Sequence, residues 1–176
     1  MFECMFNYKI FHSDLHPGNI LFLKDDDNYK IGLIDYGLVE EYDDTIKQYV
    51  CLFFKKLVKG TDRELYEYIV NNLSEIIEFK DKIIIVDRNK VVNDLMHAKE
   101  KYNILTACIK ATDIYYINNV LNKNNMTLNI KFSKIFLILS SMYSLMYMLQ
   151  DDCNGFVLKE CFKKYCSDYV LSLIHI

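Results

Sequence analysis

The amino-acid sequence predicts a mainly α fold with one small β-hairpin near its start. Beyond residue 40, apolar residues recur at three- and four-residue steps, which is the period of a helix with one buried face. Hydrophobic residues make up 52% of the chain and there is a single proline, which favours a compact helical protein over a disordered one. Two short apolar runs flank an acidic turn between residues 20 and 34, a pattern typical of a hairpin.

The hairpin is predicted to consist of strands Ile20–Leu23 and Tyr29–Ile34, joined by the acidic turn 24–28. The hairpin matters for the geometry of the site. Because its two strands are antiparallel, Asp35, which follows the second strand, returns to a position beside Asn19, which precedes the first. Residues 2–10 are interpreted as the end of a helix that leads into the loop preceding the hairpin.

Local capping signals predict where the first helices begin and end. Asp43 or Asp44 can cap the start of the first helix, and Gly60 can close its end. Thr61 and Glu64 then form a capping box that opens the next helix. The apolar positions expected to face the core in the first helix are Ile46, Val50, Phe53, Phe54, Leu57 and Val58.

The rest of the chain is predicted to be helical with one polar break. Two helices are expected within 88–121, a break at 122–125, a hydrophobic helix at about 131–150, and a last helix at about 156–172. The segment Ile83–Val86 fits either a strand or part of a buried helix, and the two interpretations stay open. The apolar positions expected in the first two of these helices are Val91, Val92, Leu95, Ala107, Ala111, Ile114 and Leu121.

Composition excludes several classes of function. The net charge of -3 provides no basic field, so we expect no nucleic-acid partner. The six cysteines contain no Cys-x-x-Cys pair, which favours free thiols in a reducing intracellular compartment over a zinc site. The longest apolar stretch, Ile135–Leu149, is shorter than the ~20 residues of a membrane span. We therefore expect a buried core helix, with no transmembrane segment and no signal peptide in this chain.

Two motifs carry the candidate chemistry. Residues 12–19 have the sequence His-Ser-Asp-Leu-His-Pro-Gly-Asn, and residues 33–38 have the sequence Leu-Ile-Asp-Tyr-Gly-Leu. Kinase-like phosphotransferases use such a pair of loops, one to orient the acceptor hydroxyl and both to bind magnesium. Each motif alone is a common loop or turn. Their order and the hairpin between them make phosphotransferase ancestry the better interpretation.

The candidate site residues follow from these positions. Asp14 is the candidate catalytic residue, which accepts or orients the attacking hydroxyl. Asn19 and Asp35 supply the oxygen ligands that Mg²⁺ prefers, and with His16 they are the candidate cofactor-binding residues for Mg-ATP. His16 is interpreted either as a phosphate contact or as loop support, whereas His12 is interpreted as a structural hydrogen-bonding residue.

Residues Phe11–Leu21 and Leu33–Val39 resemble the UbiB/AarF family of atypical, protein-kinase-like proteins. The family pattern has a small residue between His and Asp, then His-Pro-Gly-Asn, then Ile-Asp-[Phe/Tyr]-Gly, with helices following almost at once. The resemblance implies a partial protein-kinase-like fold: the C-terminal lobe without the N-terminal β-lobe. The family's Lys-x-Gly-Gln segment, Ala-rich nucleotide loop and phosphate-pairing Lys have no counterpart in these 176 residues.

We therefore expect residues 1–176 to form a single partial kinase-like domain. Residues 1–37 would hold the catalytic and metal-binding loops with the hairpin, 38–170 would form a helical C-lobe, and 171–176 would be a non-native tail. The tail sequence, Leu-Ser-Leu-Ile-His-Ile, resembles a translated sequencing adapter.

The resemblance also implies a function for a longer parent protein. Family members bind ATP, show kinase-like or ATPase activity, and support the biosynthesis of quinones and prenyl lipids, often at membranes. This implies Mg-ATP-dependent phosphoryl transfer to a lipid or small-molecule acceptor, with peripheral membrane association. The chain alone is expected to be inactive or nearly so, because half of the nucleotide site has no counterpart.

Two alternatives stay open. Small-molecule phosphotransferases of the aminoglycoside or choline kinase type share His-x-Asp-Leu-His-Pro-Gly-Asn, but they usually follow the metal-binding Asp with Trp or Phe and an acidic residue. A non-catalytic pseudokinase interaction module would keep the loops as a scaffold. The carboxylate and amide of a metal site weigh against that second alternative, because a scaffold does not require them.

Overall fold

The protein consists of helices and short antiparallel sheets in a computed structural model. The structure describes residues 3–25, 28–78, 84–105, 109–149 and Lys164. The helices within these residues are α1 (Asp44–Lys59), α2 (Asp62–Tyr68), α3 (Arg88–Tyr102), α4 (Ala111–Lys123) and α5 (Ile130–Leu149). The strands are β1 (Ile10–His12), β2 (Ile20–Asp25), β3 (Asn28–Leu33), β4 (Val39–Glu41), β5 (Ser74–Ile76) and β6 (Met126–Leu128). The predicted fold class, mainly α with a small hairpin, is confirmed at this level.

The hairpin of β2 and β3 is confirmed, and a second two-stranded sheet lies beside it. In the hairpin Ile20 pairs with Leu33, so the chain returns as predicted. The second sheet pairs β1 with β4, with Phe11 opposite Glu40. The interpretation of residues 2–10 as a helix end is correct for the π-helical turn Cys4–Tyr8 and wrong for Ile10, which begins a strand.

The predicted caps of the first two helices are confirmed. The Asp43 carboxylate accepts the Ile46 N–H at 2.8 Å at the start of α1, and the Gly60 N–H donates to the Lys56 carbonyl at its end. A side chain at residue 60 would bring its Cβ within 2.7 Å of that carbonyl oxygen, which explains the glycine. Thr61 forms the capping box that opens α2.

The third sheet was not predicted. Strands β5 and β6 pair antiparallel, with Glu75 opposite Thr127, and β6 directly follows the polar break that ends α4. Residues 84–87 form neither strand nor helix. Ala111, one of the apolar positions expected in these helices, is the first residue of α4 and is exposed. The described residues do not include Ala107, Ile83, the acidic residues Asp26 and Asp27, the predicted tail, or the predicted last helix apart from Lys164.

The core packs α5 against α1 and extends beneath the N-terminal loops. The rings of Phe53 and Phe136 lie 4.7 Å apart between these helices, and Phe6 packs edge-on against Phe54. Phe11 and Leu15 are buried in the same core, on either side of residues 12–14. Burying an aromatic side chain of this size contributes about 2 kcal/mol to the free energy of folding. This packing therefore stabilises the protein beneath the two loops.

The hydrophobic helix α5 is a core helix, as predicted. Its residues Ile135, Ile138 and Leu139 are all buried against the rest of the protein. No helix within the described residues has both the length and the apolar character needed to cross a bilayer. Cys4 and Cys51, the cysteines in the described part of the chain, do not form a disulfide, and the other four cysteines fall in undescribed segments.

Replacing Thr61 tests the capping box. The Thr61 Oγ1 accepts the Glu64 N–H at 3.3 Å, and the Glu64 carboxylate accepts the Thr61 N–H at 2.8 Å. We expect Thr61→Ala to lower the free energy of unfolding by about 1 kcal/mol in urea titrations, because the Glu64 N–H loses its acceptor. Thr61→Ser keeps the hydroxyl and should behave like wild type. Equal losses in the two variants would show that the cap does not stabilise α2.

Candidate functional site

Asp14 is exposed at the surface, and the residues on both sides of it are fixed by contacts with the rest of the protein. On one side the Ser13 N–H donates to the carbonyl of Leu38, the last residue of the second motif, at 2.7 Å. On the other side the Leu15 side chain is buried in the core. Because both neighbours are fixed, the exposed Asp14 side chain projects from a short and well-anchored loop.

His12 connects the two motifs. Its ring is only 4% exposed. The Asp14 N–H donates to Nδ1 at 3.2 Å, and Nε2 lies 3.3 Å from the Ile34 carbonyl oxygen. A backbone N–H can only donate and a carbonyl can only accept, so Nδ1 is the acceptor and Nε2 carries the proton. The prediction that His12 is a structural hydrogen-bonding residue is confirmed.

Asn19 ends a 3₁₀ turn, Pro17–Asn19, and its side chain reaches back to the loop that carries Asp14. The Asn19 Nδ2 group donates to the Asp14 carbonyl at 2.9 Å, and the residue is 6% exposed. With the NH₂ group engaged in this way, the Oδ1 atom is the end of the amide left to accept or to bind a cation. The two predicted site residues Asp14 and Asn19 are therefore in direct contact.

Asp35 lies beside Asn19 because of the register of the hairpin. The Ile34 N–H donates to the Asn19 carbonyl at 3.0 Å, one step beyond the Ile20–Leu33 pair. Asp35 adopts left-handed backbone angles, with φ 59°, which is uncommon for a residue other than glycine. Strained backbone of this kind occurs preferentially at functional sites. The Asp35 carboxylate is exposed and accepts one long bond, from the Gly37 N–H at 3.3 Å.

His16 supports the 3₁₀ turn. Its Nδ1 atom accepts the Gly18 N–H at 3.1 Å, which leaves the proton on Nε2. That Nε2 atom lies 4.0 Å from an Asp14 carboxylate oxygen, which is too long for a hydrogen bond. The structure thus shows loop support by His16, and a phosphate contact stays a prediction.

The donor set suits a hard divalent cation that also binds phosphate. Asn19 and Asp35 offer an amide oxygen and a carboxylate, and Mg²⁺ usually takes one or two such ligands together with water and substrate phosphates. Within the described part of the chain, no cluster of three or more His, Cys, Asp and Glu side chains is arranged to hold a metal alone. The metal-binding and catalytic roles of these residues stay predictions.

One group of contacts at this site was not predicted from the sequence. The Ser13 hydroxyl donates to the Glu40 carboxylate at 3.3 Å, and the same oxygen accepts from the Lys134 ammonium at 2.9 Å. Glu40 lies in β4 and Lys134 in α5, far along the chain. A contact over such a separation leaves no local pattern, so only the fold reveals it.

Comparison with known proteins identifies the region that holds the site. Residues 1–69 match the family model described as the ABC1 atypical kinase-like domain. The match spans both loops, the hairpin, α1 and α2, and it confirms the resemblance predicted from the two motifs. Searches of curated proteins and of solved structures gave no significant match.

Removing the His12 ring tests whether it joins the two loops. We expect His12→Ala to lower the free energy of unfolding by about 2 kcal/mol, because a partly buried N–H and a carbonyl lose their partner. His97 is exposed in α3, and His97→Ala is the matched control, expected to change stability by less than about 0.5 kcal/mol. Urea titrations of both variants give the comparison. A His12→Ala loss no larger than the control would contradict this role.

Proposed function

We propose that this chain, whose first 69 residues match the ABC1 atypical kinase-like family, carries the magnesium-binding and hydroxyl-accepting half of a phosphotransfer site. Asn19 and Asp35 would hold the Mg²⁺ of a nucleoside triphosphate, and Asp14 would face the acceptor. The observation that carries this proposal is a pair of hydrogen bonds that link the segments of the three residues. The Asn19 Nδ2 group donates to the Asp14 carbonyl, and the Ile34 N–H, next to Asp35, donates to the Asn19 carbonyl.

Each side chain has a part that its contacts support. The Asn19 amide is oriented by its bond to the Asp14 carbonyl, so its oxygen is the atom presented to a cation. The Asp35 carboxylate supplies negative charge at an exposed position. When bound, Mg²⁺ would neutralise phosphate charge and orient the transferred group.

Asp14 would accept the proton of the attacking hydroxyl. In the proposed reaction the acceptor oxygen forms a bond to the terminal phosphorus, the bond to the nucleoside diphosphate breaks, and the hydroxyl proton passes to the Asp14 carboxylate. Asp14 is suited to this because its side chain is exposed while its backbone is fixed at both N–H and carbonyl.

The nature of the acceptor rests on the family resemblance alone. We propose a lipid or small-molecule acceptor, with the reaction linked to quinone or prenyl-lipid biosynthesis and taking place at a membrane surface. The match to the ABC1 family model favours this proposal over an aminoglycoside or choline kinase type of phosphotransferase.

A non-catalytic interaction module is the second candidate, favoured by the exposed apolar surface of the hairpin. Phe22 and Ile31 form a cross-strand pair and are 60% and 68% exposed. Leu21 and Leu23 are exposed on the opposite face. An apolar surface of this kind is typical of contact with another protein segment. The apolar surface favours a binding partner, and an interaction module of this kind does not require the Asp35 carboxylate.

Binding of a metal–nucleotide complex separates the two candidates. Titration calorimetry of the purified chain with Mg²⁺ and a non-hydrolysable ATP analogue should give measurable binding. Asp35→Asn should weaken it roughly tenfold or more, because the site loses its charged ligand while keeping its shape. Glu100 is exposed in α3, and Glu100→Gln removes one carboxylate elsewhere as the matched control.

Two outcomes would contradict these expectations. Absence of any binding by the wild-type chain, or equal affinity in the Asp35→Asn variant, would overturn the metal site and favour the interaction module. ATP hydrolysis by the chain alone, lost in the Asp35→Asn variant, would instead overturn the expectation that the chain alone is inactive.

A further inference from the structure

A second set of contacts reaches the catalytic loop, from a helix outside the region matched to the family. The Lys134 ammonium lies 2.9 Å from a Glu40 carboxylate oxygen, and the Ser13 hydroxyl donates to that same oxygen at 3.3 Å. Ser13 immediately precedes Asp14. One carboxylate oxygen thus joins α5 to the loop that carries the candidate catalytic residue.

Both ends of this connection are rigid. Glu40 lies in β4, directly opposite Phe11 in the antiparallel pair, so its backbone is fixed to β1. Lys134 projects from α5 between Phe132 and Phe136, which are both buried in the core. Because both backbones belong to regular elements, the position of the Glu40 carboxylate is set mainly by its two hydrogen-bond donors.

The exposure of the pair indicates that its effect is local. The side chains of Lys134 and Glu40 are 48% and 37% exposed, and they border an open pocket of about 610 Å³. Ion pairs this accessible contribute little to global stability, because water and salt screen them. Loss of the Lys134 ammonium should therefore alter the orientation of nearby groups rather than unfold the protein.

We propose that Lys134 is a positioning residue for the catalytic loop, acting through Glu40 and Ser13. This inference rests on the proposed function for its consequence: the Asp14 carbonyl accepts the Asn19 amide, so a shift of the loop also moves a metal ligand. Without the ammonium, the Glu40 carboxylate turns away and the Ser13 hydroxyl loses its fixed acceptor. Asp14 and the Asn19 oxygen then lose part of their alignment.

The test compares four variants of the full 176-residue chain. Lys134→Met removes the charge and keeps the stem, and Lys134→Arg restores a cation. Lys131→Met is the matched control: Lys131 borders the same pocket, three residues earlier in α5, and among the described residues its ammonium has no hydrogen-bond or ion-pair partner.

Three measurements are made on each variant. The first is the amide NMR signals of Ser13, Asp14 and Asn19, the second is the affinity for Mn²⁺ with a non-hydrolysable ATP analogue, and the third is the melting temperature. We expect Lys134→Met to shift these signals and to weaken Mn²⁺–nucleotide affinity about threefold, with a nearly unchanged melting temperature. Lys134→Arg should restore both values, and Lys131→Met should alter neither.

The outcomes distinguish this inference from the proposed function. Unmoved loop signals in Lys134→Met would overturn the positioning role even if the wild type binds Mn²⁺–nucleotide. A lowered melting temperature without a local shift would reduce Lys134 to a structural residue. Shifted signals in a chain that does not bind Mn²⁺–nucleotide would support the positioning role and overturn the proposed function. Glu40→Gln weakens the same contact from its other end and should reproduce the Lys134→Met shifts.

Discussion

The candidate site depends on the buried imidazole of His12. An imidazole ring offers one acceptor and one donor on opposite sides, and here both are used by backbone groups of different loops. The ring is nearly inaccessible to water, so each bond is costly to lose. It ties the Asp14 N–H to the carbonyl that precedes Asp35, which keeps the two motifs at a fixed separation.

The other contacts of the site extend from this fixed separation. The Asn19 side chain closes the first loop on the Asp14 carbonyl, and the hairpin register brings Ile34 to the Asn19 backbone. Asp35 then adopts its left-handed conformation where the hairpin ends. Phe11 and Leu15, on either side of the Asp14 loop, are buried in the hydrophobic core. The core therefore helps to position the polar groups of this loop, in addition to the hydrogen bonds between them.

Signals that are local in sequence predicted the structure well. The Asp43 cap, the Thr61 capping box and the hairpin all depend on residues a few positions apart, and all are confirmed. The sheets β1–β4 and β5–β6 were missed because three-residue strands carry too little pattern and their partners are distant in sequence. The functional roles assigned to Asp14, Asn19, Asp35 and His16 stay predictions, because a motif indicates a chemistry that binding and turnover measurements test.

Paramagnetic NMR with Mn²⁺ tests the shared metal site most directly. Mn²⁺ replaces Mg²⁺ at oxygen ligands and broadens the signals of nearby nuclei, so it reports position as well as binding. With a nucleotide analogue present, we expect the amides around Asn19 and those around Asp35 to broaden together at low Mn²⁺. Broadening confined to one of the two loops, or centred on the acidic turn of the hairpin, would contradict a metal held between them.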